Sequence, residues 1–319
     1  SGHSHTPLHN LSSTEAFFEI INSPLTENAT IGFEFGYNLQ SPDRLVIWEA
    51  QYGDFINVAQ TMIDEFISSA RAKWGQSPSL VLLLPHGNEG QGPDHSSGRL
   101  ERFLQLAADI NMRIAIPTTA GQYFHLLRRQ AALLETDPLP LIVFTPKGLL
   151  RHPDTAVTSK ELSGSSWRPV LDDPRSDLNP RSVRRLLFCS GRVFVDLTNA
   201  DAYKKIENSA IVRLEQLYPF PKEPIISILD RYSNVEEIDW VQEEPQNMGA
   251  WTFIRPQLEA LLPEEASLHY IGRPRSASPA EGSNRWYRET QQALIERAFR
   301  HQSEEELISS KVVKEKAKK

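Results

Sequence analysis

The chain has 319 residues, 39% of them hydrophobic and 24% charged, with a formal net charge of −7. This length is a prior for about two domains, the composition is ordinary for a globular protein, and the modest acidity argues against sequence-independent nucleic-acid binding. No apolar run approaches the roughly 20 residues of a membrane span, and the single cysteine, Cys189, excludes an internal disulfide or a cysteine-rich metal cluster.

The N-terminal SGHSHTPLHNLSS has neither a signal-peptide nor a transit-peptide pattern, and His3, His5 and His9 read as exposed loop. Asn22 to Glu27 reads as a turn feeding a helix, with Thr26 as N-cap and Glu27 at the positive end of the helix dipole. The helix continues over 29–39, and a strand follows at 44–48. Ile56, Ala59, Met62, Ile63, Phe66, Ile67 and Ala70 share one face of an expected continuous helix. The apolar run Leu80–Leu84 predicts a strand buried on both faces. Further expected elements are a helix at 98–109, a strand at 113–116, a helix from Thr119 to Leu134 and a strand at 139–144. Residues 151–180, rich in Pro, Ser and Asp, read as an inter-domain linker. A second series is expected as strands at 183–189, 210–214, 237–241 and 267–271, with helices at 194–206, 223–230, 249–262 and 285–299. The tail beyond Arg300 reads as a frayed helix capped by Ser303 and Glu306. Alternating strands and helices predict two α/β domains with mostly parallel sheets. The expected limits are 1–150, a linker 151–180, 181–300 and a tail 301–319.

Between the buried strand and the next helix lies PHGNEGQGPDHSSGRL, which carries Gly87, Gly90, Gly92, His86, Glu89, Asp94 and His95. Open α/β sheets place ligands at such carboxyl edges; spacing alone equally allows a long surface loop. The chain lacks GxxxxGK[ST], GxSxG, HExxH and a GxGxxG that opens a helix, so phosphate-loop, serine-hydrolase, zinc-protease and dinucleotide readings lose support. Glu27, Glu49, Asp54, His86, Glu89, Asp94 and His95 remain as candidates, each of which could also serve as a cap or surface charge. Cys189 reads as a buried core residue rather than a nucleophile.

The blocks SPLTE, GFEFGY, WEAQYGDF, LLPHGNEGQGPDHSSGRLERFLQL and YFHLLRRQ resemble the thiamine-diphosphate-dependent first component of 2-oxoglutarate dehydrogenase. The later blocks FCSGRVF, IVRLEQLYPFP, VQEEPQNMGAW and GRPRSASPAEG resemble that family's C-terminal domain, so the resemblance reaches to about residue 300. It implies the C-terminal part only: a transketolase-like pyrimidine-binding domain, incomplete at its N-terminus, and a transketolase C-terminal-like domain. The diphosphate-binding half and the Mg2+ ligands are expected outside this chain. Glu27 would protonate the aminopyrimidine ring of thiamine diphosphate, and Leu25 belongs to the same cofactor-binding block. Phe55 or Tyr52, Phe55 favoured, would stack on that ring. His95, with His86 as its neighbour, would meet the 2-oxo acid, a role that suits a side chain titrating near neutral pH.

The implied reaction decarboxylates 2-oxoglutarate and passes the succinyl group to a lipoyl arm. The implied partners are the dihydrolipoamide succinyltransferase component with its lipoyl domain, the N-terminal half of the enzyme and a second copy in a homodimer, in bacterial cytoplasm or mitochondrial matrix. Asn88 departs from the Tyr or His common at its position, and Gln91 favours 2-oxoglutarate over 2-oxoadipate. The alternatives are a 2-oxoadipate dehydrogenase of this family and a non-catalytic fragment that dimerises and docks partners.

Overall fold

The computed structural model describes residues 5–11, 18–23, 25–262 and 266–300. His3, Ser303 and Glu306 lie outside the described residues, and His5 is exposed.

Among the described residues, two five-stranded sheets form. The first has the order β1 (Ile47–Glu49), β2 (Val81–Pro85), β4 (Leu141–Thr145), β3 (Arg113–Ala115) and β8 (Gln216–Tyr218), parallel except for β8. The second has the order β10 (Ser267–Arg273), β9 (Glu237–Pro245), β6 (Arg185–Cys189), β7 (Ser209–Leu214) and β5 (Val170–Leu171), parallel except for β5. The expected α/β architecture is therefore present, with one antiparallel edge added to each sheet. The β8 edge is supplied by the second half of the chain. The turn from β7 into β8 contains the fully buried Glu215, whose carboxylate accepts from the Thr118 backbone N–H at 2.8 Å.

Every residue of β2 is buried, as its unbroken apolar run requires. One apolar cluster runs through both halves, from Ile31 and Phe144 to Trp240 and Leu258, so the sheets share a core. Cys189 is fully buried within a smaller cluster, and burial pushes its thiol up to about 12, which makes it an inert core residue.

Three expectations change locally. The helix over 56–70 keeps its buried face but breaks into a 3₁₀ turn (Gly53–Ala59), one α turn, a π turn (Ile63–Ile67) and a short helix (Ala70–Trp74). The hydroxyls of Ser68 and Ser69 both donate to the Asp64 carbonyl, and the Ser68 N–H reaches Ile63, so side chains compete with the regular ladder. The helix expected over 194–206 stops at Thr198, whose hydroxyl bonds back to the Phe194 carbonyl; a short 3₁₀ turn, Tyr203–Lys205, follows later. Segment 151–180 contains the helix Ser159–Gly164, headed by a reciprocal Thr158–Glu161 capping box, as well as β5.

Candidate active site

The carboxyl ends of β1, β2 and β4, three neighbours in the first sheet, deliver three segments to one place. After β1 come Tyr52, Gly53, Asp54 and Phe55; after β2, the loop from His86 to Gly98; after β4, Lys147. Gly53 permits the closeness: a Cβ there would lie 2.5 Å from the Pro85 carbonyl oxygen and 2.9 Å from the Gly98 Cα.

The His95 ring meets Tyr52 edge-on, with centroids 4.4 Å apart, and stands 6.4 Å from Phe55, which itself packs against Tyr52 at 5.7 Å. All three are half-buried, and the His95 imidazole makes no hydrogen bond among the described residues. Helix α1 (Glu27–Gln40) packs along the 3₁₀ turn that bears Phe55. Thr26 holds the N-cap position, although its side chain makes no capping bond. Glu27 is half-exposed with no hydrogen bond or ion pair among the described residues, and Leu25 is 50% exposed. The structure thus joins Tyr52, Phe55 and His95 directly and puts Leu25 and Glu27 at the head of the adjoining helix.

His86 occupies a different environment. It is buried, its Nε2–H donates to Glu244 at 2.8 Å, and its Nδ1 accepts from the Gly98 N–H at 3.1 Å. Burial lowers its pKa, but the hydrogen bond and charge of Glu244, with Glu243 behind, outweigh that and raise it; the Gly98 N–H opposes them by favouring the neutral ring. With both ring nitrogens engaged, His86 anchors the loop and is not presented to a ligand.

The loop's first half is tied to the second sheet. Asn88 donates its backbone N–H to Glu243 at 2.7 Å and its side-chain amide to Glu281 at 2.8 Å. Glu89 accepts from the Gly148 N–H at 2.6 Å and pairs with Arg192 at 3.1 Å. Gly90 has φ +74°, and its carbonyl accepts from Asn284; a Cβ there would come within 2.5 Å of the Asn284 amide nitrogen. Arg192 follows β6, Glu243 and Glu244 lie at the end of β9, and Arg273 ends β10 and reaches both the Glu243 carbonyl and Glu281. The carboxyl edges of the two sheets therefore meet through this loop.

Burial drives the Glu243 carboxyl up to about 7, with the Glu244 charge adding to the rise; for Glu244 burial also acts upward, but the bond and charge of His86, a backbone hydrogen bond and Arg273 together outweigh it and lower the carboxyl. Glu281 is half-buried, which raises its pKa, but bonds from Asn88, Thr290 and Arg273 pull it down to about 2. Glu243, Glu244, Glu281 and Arg192 had not been singled out from sequence. The available signal was the adjacent pair in VQEEP at the end of an apolar strand.

Residues 5–153 match the family described as "Transketolase, pyrimidine binding domain", and residues 157–299 match "2-oxoglutarate dehydrogenase C-terminal". The chain is 52% identical over 299 residues to the 2-oxoglutarate dehydrogenase E1 component of Geobacillus kaustophilus (strain HTA426), covering 92% of this chain and 31% of that protein. The chain belongs to the 2-oxoglutarate dehydrogenase E1 family. The E1 component of Bacillus subtilis (strain 168) is 50% identical over 300 residues, 92% of this chain and 32% of that protein. The chain thus spans about a third of the length of these E1 relatives, and the two sheets correspond to the transketolase-like pyrimidine-binding and C-terminal folds of the E1 family.

The residues present fit the pyrimidine end of thiamine diphosphate: an aromatic wall from Tyr52 and Phe55, the exposed apolar Leu25, and a carboxylate, Glu27, with no partner among the described residues. Among the described residues no group of three or more His, Cys, Asp or Glu side chains is arranged to hold a metal ion.

Proposed function

We propose that this chain forms the pyrimidine side of the active site in a 2-oxoglutarate dehydrogenase E1 component, which decarboxylates 2-oxoglutarate and hands the succinyl group to a lipoyl arm. The observation that carries this reading is the meeting of Tyr52, Phe55 and His95 at the carboxyl edges of β1 and β2, on a turn packed against the helix that Glu27 begins. Thiamine diphosphate, when bound, supplies the electron sink for loss of CO2.

In this reading Glu27 holds a proton against the aminopyrimidine nitrogen, and the start of α1 keeps that carboxylate in place. Phe55, with Tyr52 behind it, provides the flat apolar surface for the ring, and Leu25 excludes water from its edge. His95 presents an imidazole that makes no hydrogen bond among the described residues, able to neutralise the substrate's distal carboxylate or move a proton. Its aromatic neighbours keep bulk water off one side of the ring, which strengthens its electrostatics. His86 takes no direct part. The Mg2+ ligands and the diphosphate site belong to the two-thirds of the E1 relatives that this chain does not cover.

Exposed Phe33 and Tyr37 on α1 and Val58 on the adjoining turn offer an apolar face for a second copy, which supports a homodimer. In this reading the partner is the dihydrolipoamide succinyltransferase component with its lipoyl domain, in the bacterial cytoplasm.

The experiment is kinetics of His95→Ala in the enzyme assembled with the remaining two-thirds. Its kcat/KM for 2-oxoglutarate should fall by about 10²-fold or more, with a smaller loss for 2-oxoadipate. Equal, wild-type rates with both acids would remove His95 from the site.

A further inference from the structure

The His95 ring makes no hydrogen bond among the described residues, so beyond its packing on Tyr52 and Phe55 its position is set through its backbone. Two side chains hold the backbone at His95 and just after it, and each comes from a different strand end. Lys147, after β4, donates its ammonium to the His95 carbonyl at 2.7 Å and to the Gly87 carbonyl at 3.0 Å, which bridges the two ends of the loop. Asp54, between Tyr52 and Phe55, accepts the backbone N–H groups of Ser97 at 3.1 Å and Ser96 at 3.3 Å through Oδ1. The aromatic wall and the histidine loop are therefore registered by one carboxylate that belongs to the wall itself.

Both groups are retained at a cost. Asp54 Oδ2 is buried without a hydrogen-bond partner, and leaving such an atom unsatisfied costs free energy that neutral packing would avoid. Lys147 is partly buried; burial disfavours its ammonium, and Glu89, Glu243 and Asp54 around it oppose that effect. Charge-assisted bonds to amides and carbonyls are roughly twice as strong as neutral ones, which suits groups that must hold a loop in one place.

We propose that Lys147 and Asp54 are positioning residues that together fix His95 against the Tyr52–Phe55 wall. The kinetic consequence rests on the proposed role of His95; the structural one does not. A misplacement on the order of 1 Å at a reacting group costs about 10²-fold in rate. Lys147→Met should accordingly lower kcat/KM for 2-oxoglutarate by about that factor.

The direct test is the imidazole Cε1–H resonance of His95 in the 319-residue chain, assigned by its loss in His95→Gln. Packing against Tyr52 gives this resonance a ring-current shift. Lys147→Met and Asp54→Ala should each lose most of that shift in chains whose far-ultraviolet dichroism is unchanged, whereas Asp54→Asn, which keeps an acceptor oxygen, retains more of it than Asp54→Ala. Should Asp54→Ala fail to fold, Lys147→Met decides alone. A wild-type His95 resonance in folded Lys147→Met would overturn the proposal. A displaced ring with a wild-type kcat/KM would instead leave the positioning intact and refute the assigned role of His95, so the two readings fail separately.

Discussion

Glu243 and Glu281 both hold Asn88, yet they titrate in opposite directions. Glu243 is buried, its Oε2 has no hydrogen-bond partner among the described residues, and burial lifts its carboxyl from an ordinary 4.5 to about 7. The folded chain therefore binds more protons than the unfolded one between those values, and stability falls as pH rises through that window. Glu281 is depressed from 4.5 to about 2, so the stability it contributes is present above its ordinary value and is lost as pH falls toward 2. Thermal unfolding across a pH series should show that Glu243→Gln makes the decline between about pH 4.5 and 7 shallower. Glu281→Gln should be less stable than the parent at pH 7 and approach it near pH 2. A Glu243→Gln profile parallel to the parent's would contradict the burial argument.

At the scale of elements, three strand ends make the site, and Gly53 is the position where their packing leaves no room. A methyl there meets backbone atoms of Pro85 and Gly98 rather than the tip of a flexible side chain. Gly53→Ala should lower stability by about 1–3 kcal/mol, the usual cost of overpacking, read as a drop in denaturation midpoint; an unchanged midpoint would show that the β1 and β2 ends are not pressed together. Several elements were legible in sequence because their signals are local. Leu80 to Leu84 could be nothing but buried, and Thr119 caps the helix Ala120–Ala132 through the Gln122 N–H. The broken helix over 53–74 was not legible, because its apolar face is the same whether the turns are α, 3₁₀ or π. The edges β5 and β8, two and three residues long, are too short for any period to reveal.

On the scale of the whole molecule, the histidine loop is suspended between two sheets whose carboxyl edges converge. Contacts such as Asn88–Glu243 join residues 155 apart in the chain, and no short pattern announces a pairing of that reach. Tyr52, Phe55 and His95 could be named from sequence blocks, but their meeting, the diversion of His86 to Glu244 and the bridging by Lys147 required three dimensions. Glu27 and the aromatic wall are proposed as the pyrimidine side of a thiamine diphosphate site, and that role has a direct chemical signature. It is tested most directly by hydrogen–deuterium exchange at the thiazolium carbon of thiamine diphosphate bound to the assembled enzyme, parent against Glu27→Ala. Fast exchange in the parent and a large slowing in the variant are expected. Equal exchange rates with the cofactor bound in both would contradict it.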